Sequence, residues 1–217
     1  MKVCFFTLGC KVNEYESQSI MNQLKSAGYE TAYIGKWHLA SDKEHRLATK
    51  PTPKERRGGY EYWRAADILE FTSHGYDGYV FDENGNKIEF EGYRADRIND
   101  FAIEYINNHN NDKPFFMFVS QLEPHHQNDR GHFEGPVEAI EKYKDYPIPE
   151  DLTFLEGDYN EEYPDYIAAI NRLDENVGKL VDALKEKGYN TNVIRTRALF
   201  SQSTLQKFRN HQGVSWE

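Results

Sequence analysis

Pro114-Phe115-Phe116-Met117-Phe118-Val119-Ser120-Gln121-Leu122 is the stretch from which the fold can be read. A half-buried strand alternates apolar with polar residues, whereas this run is apolar almost throughout. It suits a central strand covered on both faces, as in a parallel sheet. Upstream, Ala95, Ile98, Ala102, Tyr105 and Ile106 repeat at helical spacing. Downstream, Ile167, Ile170, Leu173, Val177, Leu180, Val181 and Leu184 trace the strongest amphipathic stripe of the chain, closed by Lys185, Lys187 and Gly188. Further strands are expected at 3–8, before Gly9, and at 31–34, before Gly35, with Ile20, Met21, Leu24 and Ala27 as a helix between them and Gly28 as its stop. Residues 79–81 and 87–90 flank Asp82-Glu83-Asn84-Gly85-Asn86, whose Asn-Gly favours positive φ and predicts a β-hairpin. Asn192 to Ile194 begins a further strand-like segment. Strands alternating with helices give an α/β sheet.

Other segments read less clearly. Residues 40–76 carry two prolines, the Arg56-Arg57-Gly58-Gly59 turn and many aromatics, which suggests irregular substrate-side structure more than core. From 134 to 165, eleven carboxylates face two lysines, with prolines at 136, 147, 149 and 164, a solvated excursion. From Arg195 onward, four basic residues, one acid and no clear period make an unassigned tail.

Over 217 residues, 26 Lys and Arg oppose 36 Asp and Glu, a net charge of −10. Phosphate contacts need clustered cations, so no nucleic-acid partner is expected. Hydrophobic residues make up 38%, below the ~45–50% of an ordinary globular chain, which predicts a lean core. No apolar stretch approaches the ~20 residues of a membrane span. The apolar run at 3–10 meets Lys11 and Glu14 too soon for a secretory signal. A soluble, cytoplasmic chain without a membrane partner is the expectation, built as one domain or one domain with an appendage.

In α/β sheets ligands collect beyond the carboxyl ends of strands, which singles out 35–38 and 123–129. Lys36 and His38 stand two apart, so an extended backbone would point both to one side and Trp37 to the other. An ammonium supplies a point charge and an imidazole a switchable proton, together a pocket for an oxyanion. Spacing alone leaves open the plainer alternative of an exposed lysine and a loop histidine. Pro124-His125-His126-Gln127-Asn128-Asp129, with His132 nearby, is a dense polar cluster at a strand end. Adjacent histidines point apart, and no H-E-x-x-H or cysteine spacing accompanies them. A general acid or an anion-binding histidine is the better functional role than zinc, beside the alternative of a merely polar loop. Cys4 and Cys10 lie too close to frame a disulfide, and Cys10 has no C-x-x-C partner. Phosphate-loop, dinucleotide and serine-hydrolase motifs are absent from the sequence.

Thr31-Ala32-Tyr33-Ile34-Gly35-Lys36-Trp37-His38-Leu39 closely resembles the G-K-W-H-L-G signature of the type I sulfatases. Three later segments agree in order: 93–106, 114–129 with its L-E-P-H-H-Q-N-D, and 166–187 carrying Arg172-Leu173-Asp174-Glu175-Asn176-Val177-Gly178. Residues from about 24 to 194 thus resemble the middle of a sulfatase. The resemblance implies an incomplete alkaline-phosphatase-like α/β sandwich that hydrolyses sulfate esters, of small molecules or carbohydrates, with a formylglycine nucleophile and a calcium ion. It implies that Lys36 binds a sulfate oxygen, that His38 hydrogen-bonds the hydrated aldehyde, and that His125 protonates or positions the leaving oxygen. His126 and Asn128 would touch the substrate.

The chain departs from that pattern in two places. No Cys or Ser is followed by x-P-x-R, so no formylglycine is expected. No Asp-Asp pair occurs, and Val193-Ile194 runs into Arg195-Thr196-Arg197-Ala198 instead of an S-D-x-G calcium turn. Residues 1–29, with Thr7-Leu8-Gly9-Cys10-Lys11-Val12-Asn13-Glu14-Tyr15-Glu16-Ser17, resemble the start of the radical-SAM methylthiotransferases of transfer RNA, which implies Cys10 as an iron–sulfur ligand. A composite is the expectation: 1–29 methylthiotransferase-like, 30–194 sulfatase-like and 195–217 unassigned, with sulfate-ester hydrolysis absent from the chain as it stands.

Overall fold

The computed structural model describes residues 2–8, 23–41, 46–110, 112–154, 157–189 and 191–197, the first and last of these as backbone only. Seven strands form one sheet: β1 (Lys2–Leu8), β2 (Glu30–Lys36), β3 (Tyr62–Ala66), β4 (Asp77–Phe81), β5 (Lys87–Glu91), β6 (Phe115–Ser120) and β7 (Thr191–Arg197). They lie in the order β5-β4-β3-β2-β6-β1-β7. The run from β3 to β7 is parallel, and β4 and β5 add an antiparallel edge.

β6 is buried along its whole length, as its continuous apolar run predicts. Period two sends Phe115, Met117 and Val119 into a core shared with Ala32 and Ile34 of β2, while Phe116 and Phe118 join Tyr33, Trp37 and Trp63 on the other face. That second layer is aromatic. Tyr33 stacks on Phe118 with ring centroids 5.2 Å apart and meets Trp37 edge-on at 4.7 Å. The first layer is covered by α1 (Arg94–Asn108) and α3 (Tyr159–Glu186), through Ile98, Ala102 and Ile106 from one and Val177, Leu180 and Leu184 from the other. Asp96 in the first turn of α1 ties the two helices, accepting from Arg172 at 2.7 Å and from Asn176 at 2.8 Å.

The expected hairpin is present. Asp82 accepts from the backbone N–H of Asn84 and Asn86, and Gly85 takes φ 84°. Two expectations need correction. Within 40–76, read as irregular, Tyr62–Ala66 is a buried strand pairing in parallel with β2. Arg64 in its centre hid it, because the guanidinium lies 4.6 Å from the Tyr62 ring centroid and bonds Glu83 at 2.6 Å, leaving the aliphatic stem in the layer. The acidic excursion also holds a short helix, α2 (Val137–Ile140), and α3 starts eight residues before Ile167, with Pro164 inside it and Glu161 and Glu162 at its favourable N-terminal turn. β7 likewise runs on to Arg197. Residues 20–22, Cys10 and the tail from 198 lie outside the described residues. Among the described residues no helix is long and apolar enough to cross a membrane.

Candidate anion-binding site

Because β2 and β6 are parallel neighbours, with Gly35 opposite Ser120, their carboxyl ends open on one edge of the sheet. Lys36 closes β2 there. Its Nζ lies 2.9 Å from Oε1 of Glu70, with 13% and 6% of the two side chains exposed. Glu70 comes from the short 3-10 turn Leu69–Phe71 that follows β3. Beyond Lys36 the chain leaves the sheet under control of Asp67, which is fully buried. The Asp67 carbonyl accepts from His38 N–H, and its carboxylate accepts from the N–H groups of Ala40 and Ser41 at 2.8 and 2.9 Å. His38 itself has φ 56°. Strand alternation therefore ends at Lys36, and the Asp67-held turn, not a two-residue period, sets the place of His38.

After β6, His125 Nδ1 lies 2.5 Å from the carbonyl of His126. A carbonyl only accepts, so Nδ1 carries hydrogen and Nε2 is the atom left to meet a ligand. His126 is turned to the rim: its Nδ1 is 3.4 Å from Asn128 Oδ1 and its ring meets Phe133 edge-on at 5.2 Å. The loop is fixed from behind. Gln127 donates through Nε2 to the Glu70 carbonyl at 3.0 Å and accepts from Arg94 at 3.1 Å, while Arg94 Nε bonds Glu123 at 2.8 Å, both members of that pair being 1% exposed.

Lys36 bonds Glu70 directly, and the loop that carries His125 is tied to Glu70 through Gln127. Burial alone would raise the Glu70 carboxyl, but the Lys36 charge and hydrogen bond, the backbone N–H of Glu70 and the charge of His125 outweigh it, so Glu70 sits below the usual glutamate range. Hydrogen bonds from His74 and then Gln127 hold the Asp129 carboxyl down at about 2. A depressed carboxylate stabilises the fold above its unfolded pKa, and that contribution is lost as pH falls through the folded value. We predict an Asp129 carboxyl titration, followed by 13C NMR, with a midpoint near 2 that moves back toward ~3.9 in His74→Ala. A wild-type midpoint already at the ordinary value would contradict the assigned bonds.

Of the residues proposed from sequence, Lys36, His38 and His125 lie at one end of adjacent strands, and His126 and Asn128 pair with each other beside them. Glu70, Asp67, Arg94, Glu123 and Gln127 were not anticipated. Among the described residues no group of three or more His, Cys, Asp or Glu could hold a metal ion.

The sulfatase family model matches residues 8–196. An ulvan-active sulfatase of Formosa agariphila is 35% identical over 180 residues, an alignment covering 78% of this chain and 32% of that protein. An N-acetylglucosamine-6-O-sulfatase of Bacteroides thetaiotaomicron is 32% identical over 120 residues, covering 55% of this chain and 19% of the relative. The crystal structure of a putative sulfatase, yidJ, from Bacteroides fragilis superposes with a TM-score of 0.67 at 26% identity, covering 81% of this chain and 42% of that one. The chain therefore spans less than half the length of these relatives. With the α/β sheet, the helices on it and a family match across most of its residues, this chain belongs to the sulfatase family.

Proposed function

We propose that Lys36, His38 and His125 form the sulfate-binding part of a sulfuric ester hydrolase acting on sulfated carbohydrate. The observation that carries this is the Lys36–Glu70 ion pair on the carboxyl edge of two adjacent parallel strands, with the histidine loop anchored to it through Gln127 and the Glu70 carbonyl. Lys36 Nζ has three hydrogens and gives one to Glu70, so it can hold a sulfate oxygen without leaving the carboxylate. With Nδ1–H held by the His126 carbonyl, His125 donates from Nε2 only as the imidazolium, and in that form it can serve a second sulfate oxygen or the ester oxygen that leaves. His38, placed by Asp67, closes the group. A relative named for a sulfated sugar supports carbohydrate as the substrate class.

These 217 residues hold no C/S-x-P-x-R segment and no S-D-x-G turn. We therefore read the chain by itself as a sulfated-ligand binder without turnover, because attack at sulfur needs a nucleophile and compensation of the developing charge. Calorimetric titration with sulfate tests this. Wild type should bind weakly, more weakly as salt rises, and Lys36→Ala should lose ~10-fold or more, the range of a charged hydrogen bond. Equal affinity of the two proteins, or calcium-dependent turnover of an aryl sulfate that Lys36→Ala abolishes, would overturn the reading. The methylthiotransferase-like start stands as a separate proposal resting on 1–29 alone; iron and acid-labile sulfide in the purified chain would support it, and their absence would remove it.

A further inference from the structure

Only one oxygen of the Glu70 carboxylate meets a side-chain donor. Oε1 takes the Lys36 hydrogen bond at 2.9 Å, while Oε2 is buried and has no hydrogen-bond partner. With 6% of the side chain exposed, bulk water does not serve that oxygen. An unserved acceptor on a buried charge is costly, and its persistence in a built site points to a donor that arrives with the ligand. The ligand must bring a hydrogen to Oε2 and an anion to Lys36 and His125 at once. A sulfate group alone cannot do this, because ionised sulfate only accepts and is repelled by the carboxylate. A sugar hydroxyl next to the sulfated carbon can.

Resting on the sulfate-binding reading above, we infer that Glu70 is the specificity-determining residue of this site. Its Oε2 accepts from a free hydroxyl on the ring carbon beside the sulfate, while Lys36 bridges Oε1 and the sulfate and so separates the two negative charges. The site then takes monosulfated sugar rings in preference to esters without a hydroxyl, and rejects rings sulfated at the neighbouring position.

The experiment is calorimetric titration of the 217-residue chain with methyl sulfate, galactose 4-sulfate and rhamnose 3-sulfate, the two sugars each carrying a free hydroxyl beside the sulfated carbon. It is run on wild type, Glu70→Gln, Glu70→Asp and Lys36→Ala. On wild type at least one sugar should bind ~10-fold or more tighter than methyl sulfate, as a hydrogen bond to a charged acceptor gives. In Glu70→Gln methyl sulfate should bind more tightly and the sugar preference should fall below ~3-fold, since only a neutral acceptor remains. Glu70→Asp, one methylene shorter, should also lose the preference. A preference that survives in folded Glu70→Gln overturns the assignment of Glu70 and leaves the sulfate pocket standing. So does a wild type that binds methyl sulfate as well as every sugar, a comparison that needs no variant. If nothing binds wild type, or Lys36→Ala binds equally, the sulfate reading fails and the inference falls with it.

Discussion

Gly35→Ala should leave little or no folded protein. Gly35 lies on β2 at φ 104°, a backbone conformation open to glycine and strained for alanine. An added Cβ would overlap the carbonyl oxygen of Ser120 and stand 2.8 Å from its carbon. Both atoms are backbone on β6, so no side chain can swing away. Relief requires β2 and β6 to part at the centre of the sheet, where Ile34 and Val119 lie fully buried. Backbone strain of this kind costs ~1–3 kcal/mol, and the lost ladder and packing add to it. Against a total of ~5–15 kcal/mol for an ordinary domain, such a loss threatens folding itself. Urea unfolding followed by circular dichroism checks this. A variant within ~1 kcal/mol of wild type would mean that β2 and β6 do not approach as described.

Arg94→Met should cost ~3–5 kcal/mol, because it leaves the Glu123 carboxylate buried beside no cation. Arg94 and Glu123 are each 1% exposed, and the guanidinium also serves the carbonyl and hydroxyl of Ser73 and the amide oxygen of Gln127. Glu123, the Ser73 hydroxyl and the Gln127 amide oxygen lose this donor together, while the Ser73 carbonyl keeps a longer bond from Gln127 Nε2 at 3.4 Å. The effect should reach the anion site as well, since Gln127 holds the backbone of Glu70. Removing both charges in Arg94→Met/Glu123→Leu should recover much of the stability, because a buried pair is worth little more than apolar residues of like size. Equilibrium unfolding of the single and double variants decides between these costs. A single variant losing under ~1 kcal/mol would show that the pair is solvated.

The core strands were legible because burial on both faces writes itself into composition. The run from Phe115 is apolar at both parities, and β6 is the strand with helices on one side and aromatics on the other. β3 was not legible, since Arg64 reads as surface and is in fact a stem packed in the sheet layer with its charge carried to Glu83. The same distinction runs through the site. Lys36 and His125 stand in local motifs at strand ends, where a sequence can show them. Glu70 and Asp67 act across 34 and 27 residues of chain, and Arg94 reaches Glu123 across 29. Partnerships at that separation leave no local spacing to read. A buried acid has the same letter as an exposed one.

If Lys36, His38 and His125 serve one anion, the two histidine rings must respond to it together. Sulfate titration followed by NMR of the histidine rings checks this, with His109, beside Glu30 at the opposite end of β2, as the reference. His38 and His125 should shift together along one isotherm with one Kd, the His109 ring should not follow it, and Lys36→Ala should abolish both shifts. Separate isotherms for His38 and His125, or shifts that persist unchanged in Lys36→Ala, would contradict it.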